Sequence, residues 1–136
     1  MADDATSGPA PRLVLALPKG RVLPVALERL RRAGLEVELS SDERALRHDV
    51  GATTVMVMRN ADVPTYVDLG VADAGVVGRD VLLEARSRLY APVDLGFGVC
   101  RISLIRPQGE RAPIRRVASK YPNVTAEYLA AMGSTA

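Results

Sequence analysis

The alternation of strand and helix signals between residues 53 and 86 limits the fold more than any other feature of the sequence. Thr53–Met58 is an apolar, β-branched run typical of a buried strand. Pro64 then marks the first turn of a predicted helix, where the missing N–H has no intrahelical partner to lose. A second apolar run at 74–77 precedes another helix, which opens near Asp80. This order predicts a βαβ unit, and therefore an α/β fold with a parallel sheet.

Charged residues in this region fall where predicted strands end and predicted helices begin. Arg59 and Asp62 follow the first strand, and Asp80 follows the second. Asn60 or Asp62 is expected to cap the first helix, and Gly70 to end it. Open α/β sheets bind ligands at the carboxyl ends of their strands, so these residues are candidates for a site.

An earlier strand-to-helix turn reads Lys19-Gly20-Arg21. A short apolar strand at 12–17 precedes it, and an amphipathic helix at 22–33 follows. Glycine lets the backbone approach a ligand, the helix start offers free N–H groups, and two cations flank them, which favours an anion site. The alternative is an ordinary basic surface turn, because the spacing is not that of a P-loop.

The other predicted elements are strands at 35–39, 89–95, 100–105 and 114–118, and a helix at 126–132 capped by Asn123 or Thr125. His48 lies in a polar segment and is expected to be solvated. Gly96-Phe97-Gly98 is the predicted hinge, and residues 1–11 form a predicted disordered leader.

Composition is that of one globular domain with a substantial core. The net charge of +2 on 136 residues is too small to indicate nucleic-acid binding. Between Arg101 and Lys120, however, five arginines and one lysine face the single acid Glu110. This basic segment is either an anion-binding surface or a solvated loop.

One cysteine excludes an internal disulfide, and one histidine excludes a histidine-rich metal site. Cys100 is expected to be a small core residue. No apolar run approaches the ~20 residues of a membrane span, and the N-terminus lacks the features of a signal peptide. We therefore expect no membrane association, no protein-held metal, and a cytoplasmic location.

Five motifs, in this order and spacing, together resemble the short form of ATP phosphoribosyltransferase. They are Leu17-Pro18-Lys19-Gly20-Arg21, Arg59 to Tyr66, Asp73 to Asp80, Leu95 to Cys100, and Lys120-Tyr121-Pro122. The resemblance covers residues 13–133. It implies a glycosyltransferase of histidine biosynthesis that joins the phosphoribosyl group of phosphoribosyl pyrophosphate to nitrogen 1 of ATP.

The resemblance also implies a two-lobed, periplasmic-binding-protein-like (type II) α/β fold with the site between the lobes. The first lobe would comprise residues 12–95, the hinge 96–99, and the start of an incomplete second lobe 100–136. Short-form members work with a regulatory subunit resembling histidyl-tRNA synthetase, which predicts a homodimer within a hetero-oligomer. Mg²⁺ would arrive with phosphoribosyl pyrophosphate and not in a protein cage.

Site residues are carried over by motif from the same family. Arg21 and Arg44 would stabilise the pyrophosphate or the ATP phosphates as catalytic residues. The substrate-binding residues would be Lys19, Gly20, Arg59, Asp62, Asp80, Lys120 and Tyr121. For Arg59 and Asp80 the alternative is a buried ion pair that fixes the βαβ unit, and Asp73 is expected to be structural.

One departure from the family concerns the loop that binds the phosphoribosyl moiety. This loop pairs an acidic strand end with a Thr/Ser-Gly-x-Thr turn, and it is absent between Tyr121 and Ala136. We therefore expect this chain alone to be inactive. Two alternatives are a non-catalytic small-molecule sensing module of the same fold and a structural fragment that associates with a partner chain.

Overall fold

A computed structural model describes residues 12–39 and 45–134 of the chain. These residues fall into two compact units, divided between Val77 and Gly78. The division lies earlier in the chain than the predicted hinge at 96–99, which stays a prediction. In chain order the elements are β1 (Leu13–Pro18), α1 (Val22–Arg32), β2 (Arg47–Val50), β3 (Thr53–Met58), α2 (Val63–Asp68), β4 (Ala74–Gly75), α3 (Arg79–Glu84) and α4 (Pro122–Ala131).

The first unit is built on an open sheet with the strand order β2-β3-β1-β4. β1 pairs in parallel with β3, from Leu13 opposite Thr53 to Pro18 opposite Met58. It also pairs in parallel with β4, which is only two residues long. The predicted βαβ unit is therefore confirmed, with β1 lying between its two strands. β2 pairs antiparallel to β3 across a turn at Gly51.

Helices cover both faces of this sheet, because successive side chains of a strand point to opposite sides. On one face Leu17 and Val55, both fully buried, form part of a core against which the apolar stripe of α1 packs. On the other face Ala16 and Met58 pack with Val63 of α2. Each large aliphatic side chain buried in this way contributes about 1.5–3 kcal/mol.

The strand predicted at 35–39 does not form, although its side chains alternate between half-buried and exposed as predicted. Leu35, Val37 and Leu39 are half-buried against the α1 face of the sheet, and the residues between them are exposed. The Leu35 N–H instead donates to the Leu30 carbonyl, 2.9 Å away, and so closes the end of α1. Alternating burial here reflects side-chain packing on the core of the sheet and not a ladder of backbone hydrogen bonds.

His48 was expected to be solvated, and that expectation was wrong. It lies on β2 with 6% of its surface exposed, and its Nε2 is 3.1 Å from the Ala45 carbonyl oxygen. The expectation failed because part of the polar segment forms a strand that pairs with β3.

The second unit contains α3, α4 and a long connection between them. The strands predicted at 89–95, 100–105 and 114–118 are not formed in the described chain. Between residues 89 and 119 the described residues share one backbone hydrogen bond, from Glu110 N–H to the Pro107 carbonyl. A strand requires a neighbour to pair with, and none is present here. Cys100, expected in a core, is exposed.

Helix ends differ from the predictions by a few residues. α4 begins at Pro122 with Tyr121 at the N-cap position, four residues before the predicted start. Asp62 occupies the N-cap of α2 as expected, but its side chain makes no capping hydrogen bond. Gly70 and Gly133 follow the last turns of α2 and α4 with positive φ, as predicted for helix stops.

Candidate functional site

Two of the predicted site segments lie side by side at the carboxyl edge of the first unit's sheet. Pro18 ends β1 opposite Met58, which ends β3. The ladder continues one step further, because the Lys19 N–H donates to the Met58 carbonyl oxygen at 2.7 Å. The turn that follows β1 is thus fixed next to the turn that follows β3.

The turn after β1 has the features of an anion site. Lys19 and Arg21 are both exposed. Gly20 has φ of +90°, and no atom lies within 4 Å of the position a Cβ would occupy. α1 follows with no side-chain cap and no acidic residue in its first turn, so its N-terminal N–H groups are not neutralised by a carboxylate of that turn.

The turn after β3 adds a third cation. Arg59 is exposed, and its carbonyl accepts a hydrogen bond from the Asp62 N–H at 2.9 Å. Asn60, considered in the sequence only as a helix cap, has a buried Oδ1 that lacks a hydrogen-bond partner within the described ranges. Unpaired buried acceptors are rare, which distinguishes this turn from an ordinary connection.

In the second unit, the predicted residues Asp80 and Tyr121 contact each other directly. The Tyr121 hydroxyl donates to Asp80 Oδ2 at 2.6 Å. This hydrogen bond, reinforced by burial, raises the pKa of Tyr121 to about 12. The phenol is therefore a neutral donor throughout the physiological range.

Arg59 lies in the first unit and Asp80 in the second, so the ion-pair alternative considered for these two residues stays a prediction. The structural role expected for Asp73 is confirmed, since its Oδ2 accepts the Val14 N–H at 2.7 Å and so ties the approach to β4 to β1.

Lys120 is exposed at the start of α4, and the backbone around it is held by side chains. Ser119 Oγ accepts the Tyr121 N–H at 2.9 Å and the Thr125 hydroxyl at 2.7 Å. Glu84, which the sequence did not single out, accepts the N–H groups of Asn123 and Val124, each at 3.0 Å. Sequence reasoning missed it because its partners lie 39 and 40 residues away.

The predicted site residues thus fall into two groups, one in each unit. The first unit holds Lys19, Gly20, Arg21, Arg59 and Asp62, and the second holds Asp80, Lys120 and Tyr121. Arg44 lies outside the described residues. Within the described part of the chain, no three His, Cys, Asp or Glu residues gather to hold a metal ion.

A cavity of about 450 Å³ lies elsewhere in the first unit, between α1 and the segment after it. Glu28, Glu36 and Glu38 are among its lining residues. Arg31 also lines it and pairs with Glu28, so the lining keeps a negative net charge, which disfavours a phosphorylated ligand.

Comparisons with known proteins agree with the motifs. The family model described as "HisG: ATP phosphoribosyltransferase" matches residues 59–136. An ATP phosphoribosyltransferase of Deinococcus deserti is 56% identical over 121 residues, covering 89% of this chain and 56% of the relative. One from Thermus thermophilus is 55% identical over 122 residues, covering 89% of this chain and 59% of the relative.

A solved structure shows the same likeness in three dimensions. A chain of the ATP phosphoribosyl transferase (HisG:HisZ) complex from Thermotoga maritima matches with a TM-score of 0.77 and 35% identity, covering 90% of this chain and 60% of that chain. The predicted α/β, periplasmic-binding-like fold class is confirmed. The chain spans less than two thirds of the length of these relatives. No helix in the described residues has the length and apolarity to cross a membrane.

Proposed function

This chain belongs to the ATP phosphoribosyltransferase family, and we propose that it carries the pyrophosphate-binding part of that enzyme. The reaction would transfer the phosphoribosyl group of phosphoribosyl pyrophosphate to nitrogen 1 of ATP, the first step of histidine biosynthesis. The observation that supports this most is the hydrogen bond from Lys19 N–H to the Met58 carbonyl, because it fixes two cationic turns at one sheet edge.

Charge stabilisation is the chemistry that these turns offer. The adenine nitrogen attacks the ribosyl carbon while pyrophosphate departs, so no protein nucleophile is needed. Negative charge grows on the leaving oxygen, and preorganised donors are most effective there. The cations proposed for this role within the described part of the chain are Lys19, Arg21 and Arg59. The free N–H groups at the start of α1 would add to them. Arg44 would join them.

The second unit would contribute a cation and a neutral donor. Lys120 would contact a substrate phosphate. Tyr121 stays protonated because Asp80 holds its hydroxyl, and so would orient Lys120 without adding negative charge. Mg²⁺ would enter bound to phosphoribosyl pyrophosphate and not in a protein cage, and Asp62 and Asp80 would contribute to substrate binding.

A partner subunit is part of the proposal. The Thermotoga maritima structure is of a HisG:HisZ complex, which supports a regulatory partner resembling histidyl-tRNA synthetase. We infer a homodimer of this chain within such a hetero-oligomer, in the cytoplasm. The exposed thiol of Cys100 is compatible with a reducing compartment.

The 136-residue chain alone is expected to lack transferase activity. It spans 56% of the Deinococcus deserti relative. In the second unit Tyr90, Val99 and Ile105 are 88%, 97% and 86% exposed. Exposed apolar side chains on a segment without backbone partners favour a surface that another part of the enzyme covers.

Binding of inorganic pyrophosphate, measured by titration calorimetry on the 136-residue chain, tests the anion site. Arg59→Ala should weaken binding about tenfold, as loss of one charge-assisted contact does. Arg29→Ala is the matched control, because Arg29 is an exposed arginine in the last turn of α1, away from the sheet edge. Absence of pyrophosphate binding by the unmodified chain would refute the site.

Turnover is tested in a chimera that continues this chain with the remaining residues of the Deinococcus deserti relative, assayed together with the proposed regulatory subunit. We expect formation of phosphoribosyl-ATP by the chimera and none by the 136-residue chain. A chimera that folds and binds ATP without turnover would favour the sensing module.

A further inference from the structure

Glu84 connects the two helices of the second unit through three hydrogen bonds. Its two carboxylate oxygens accept the N–H groups of Asn123 and Val124, each at 3.0 Å. Its backbone carbonyl accepts the side-chain amide of Asn123 at 2.9 Å. The last residue of α3 therefore caps the first turn of α4.

This contact bears on Lys120 because the hydrogen bonds that Ser119 accepts from Tyr121 and Thr125 are local and do not tie the start of α4 to another element. The connection from residue 89 to 119 is almost without backbone hydrogen bonds and is largely exposed. It cannot define the position of the residues that follow it. Contacts to α3 do so instead. Asp80 accepts the Tyr121 hydroxyl, and Glu84 accepts the backbone N–H groups of Asn123 and Val124.

The capping carboxylate also offsets the positive end of the α4 dipole. An anion that approaches this unit finds the N–H groups of Asn123 and Val124 already occupied. The cation left for it at this helix start is the exposed side chain of Lys120.

We propose that Glu84 is a positioning residue for Lys120: by binding the first turn of α4 it orients Lys120 toward the anionic substrate. The inference rests on the proposed function, since Lys120 needs orienting only if an anion binds there. Glu84 itself would not touch the substrate.

The test is a double-mutant cycle with titration calorimetry, using inorganic pyrophosphate and the full 136-residue chain. Lys120→Ala should weaken binding about tenfold. Glu84→Gln should weaken it about fivefold, the effect of leaving one long side chain unordered before binding. If Glu84 acts through Lys120, the double variant should bind no more weakly than Lys120→Ala alone.

Glu127→Gln is the matched control. It removes one carboxylate from α4, where Glu127 forms an exposed ion pair with Arg86 at 3.2 Å. This variant should leave the affinity for pyrophosphate unchanged. Asn123→Ala, which removes only one of the three bonds, should give a smaller loss and serves if Glu84→Gln fails to fold. Thermal melting confirms that each variant is folded at the temperature of the titration.

Additive losses in the double variant would show that Glu84 acts on overall structure, and would overturn the inference. Unchanged or tighter binding by Glu84→Gln would overturn it as well, because a purely electrostatic carboxylate repels the anion. If the unmodified chain binds no pyrophosphate, that result refutes the proposed function. If the chain binds pyrophosphate but Glu84→Gln does not change the affinity, only the positioning role of Glu84 is refuted.

Discussion

The Tyr121 hydroxyl donates a 2.6 Å hydrogen bond to Asp80, joining residues 41 apart in the chain. Two residues that a family resemblance assigned separately to a binding site thus form a hydrogen-bonded pair. The carboxylate keeps the phenol protonated by accepting the hydrogen bond that it donates. A substitution of either residue therefore changes the surroundings of the other.

Alkaline unfolding should reveal this pair. The pKa of Tyr121 is raised from 10.0 to about 12 in the folded chain, so folding favours the protonated phenol. The stabilisation is complete below pH 10 and is lost as the pH rises through about 12. Tyr121→Phe should lower the free energy of unfolding at neutral pH by about 1–2 kcal/mol and remove the extra loss between these pH values.

Urea unfolding at a series of pH values measures this effect, and ultraviolet difference spectroscopy follows the phenol itself. Tyr128→Phe is the control, because Tyr128 is 53% exposed on the same helix and has no hydroxyl partner in the described part of the chain. An identical alkaline profile for Tyr121→Phe and the unmodified chain would contradict the hydrogen bond to Asp80.

Gly20 should matter for anion binding beyond its effect on stability. With φ of +90° and open space around it, an added Cβ strains only the backbone. Gly20→Ala should cost about 1–2 kcal/mol of stability and weaken pyrophosphate binding, because relief of strain moves the Lys19 and Arg21 backbone. Calorimetry and thermal melting measure the two effects separately.

Gly34 provides a matched comparison at the other end of α1. Its φ is +86°, and it too has open space at the Cβ position. Gly34→Ala should therefore destabilise the chain by a similar amount without changing affinity. Equal losses of affinity in both variants would show that Gly20 has no special part in binding.

Gly75 allows α2 to pack closely on the sheet, because it has no Cβ. A Cβ at this position would lie 2.6 Å from Val63 Cγ1 and 3.2 Å from the Ala16 carbonyl oxygen. Gly75→Ala should destabilise the first unit by about 1–3 kcal/mol, because the neighbours on one side include backbone that cannot move aside. Ala74→Ser, at the exposed adjacent residue, should change the midpoint of urea unfolding little. A neutral Gly75→Ala would mean that α2 lies further from β4.

The parallel part of the first unit could be predicted from local patterns. Buried strand signals at Leu13–Pro18 and Thr53–Met58, each followed by a turn and a helix, fix a parallel arrangement. In such a sheet the ends of adjacent parallel strands meet, so the neighbourhood of Lys19 and Arg59 followed from the pattern.

The second unit could not be predicted in this way. The partners of Glu84 lie 39 and 40 residues from it, and no short motif announces a carboxylate that caps a distant helix. The apolar runs at 89–95 and 100–105 have strand composition, yet composition supplies no neighbour to pair with. His48 was misjudged for the same reason, because burial depends on what covers a residue.

The contacts between α3 and α4 have a consequence for the order of folding. Their formation closes a loop of 39 to 41 residues, which carries an entropic penalty of about 3 kcal/mol before any contact is made. The β2–β3 hairpin closes over a single tight turn and so can form early. Pulse-labelled hydrogen exchange should protect the Asn123 and Val124 amides later than those of β3. Lys120 would then reach its place only after the β2–β3 hairpin has formed.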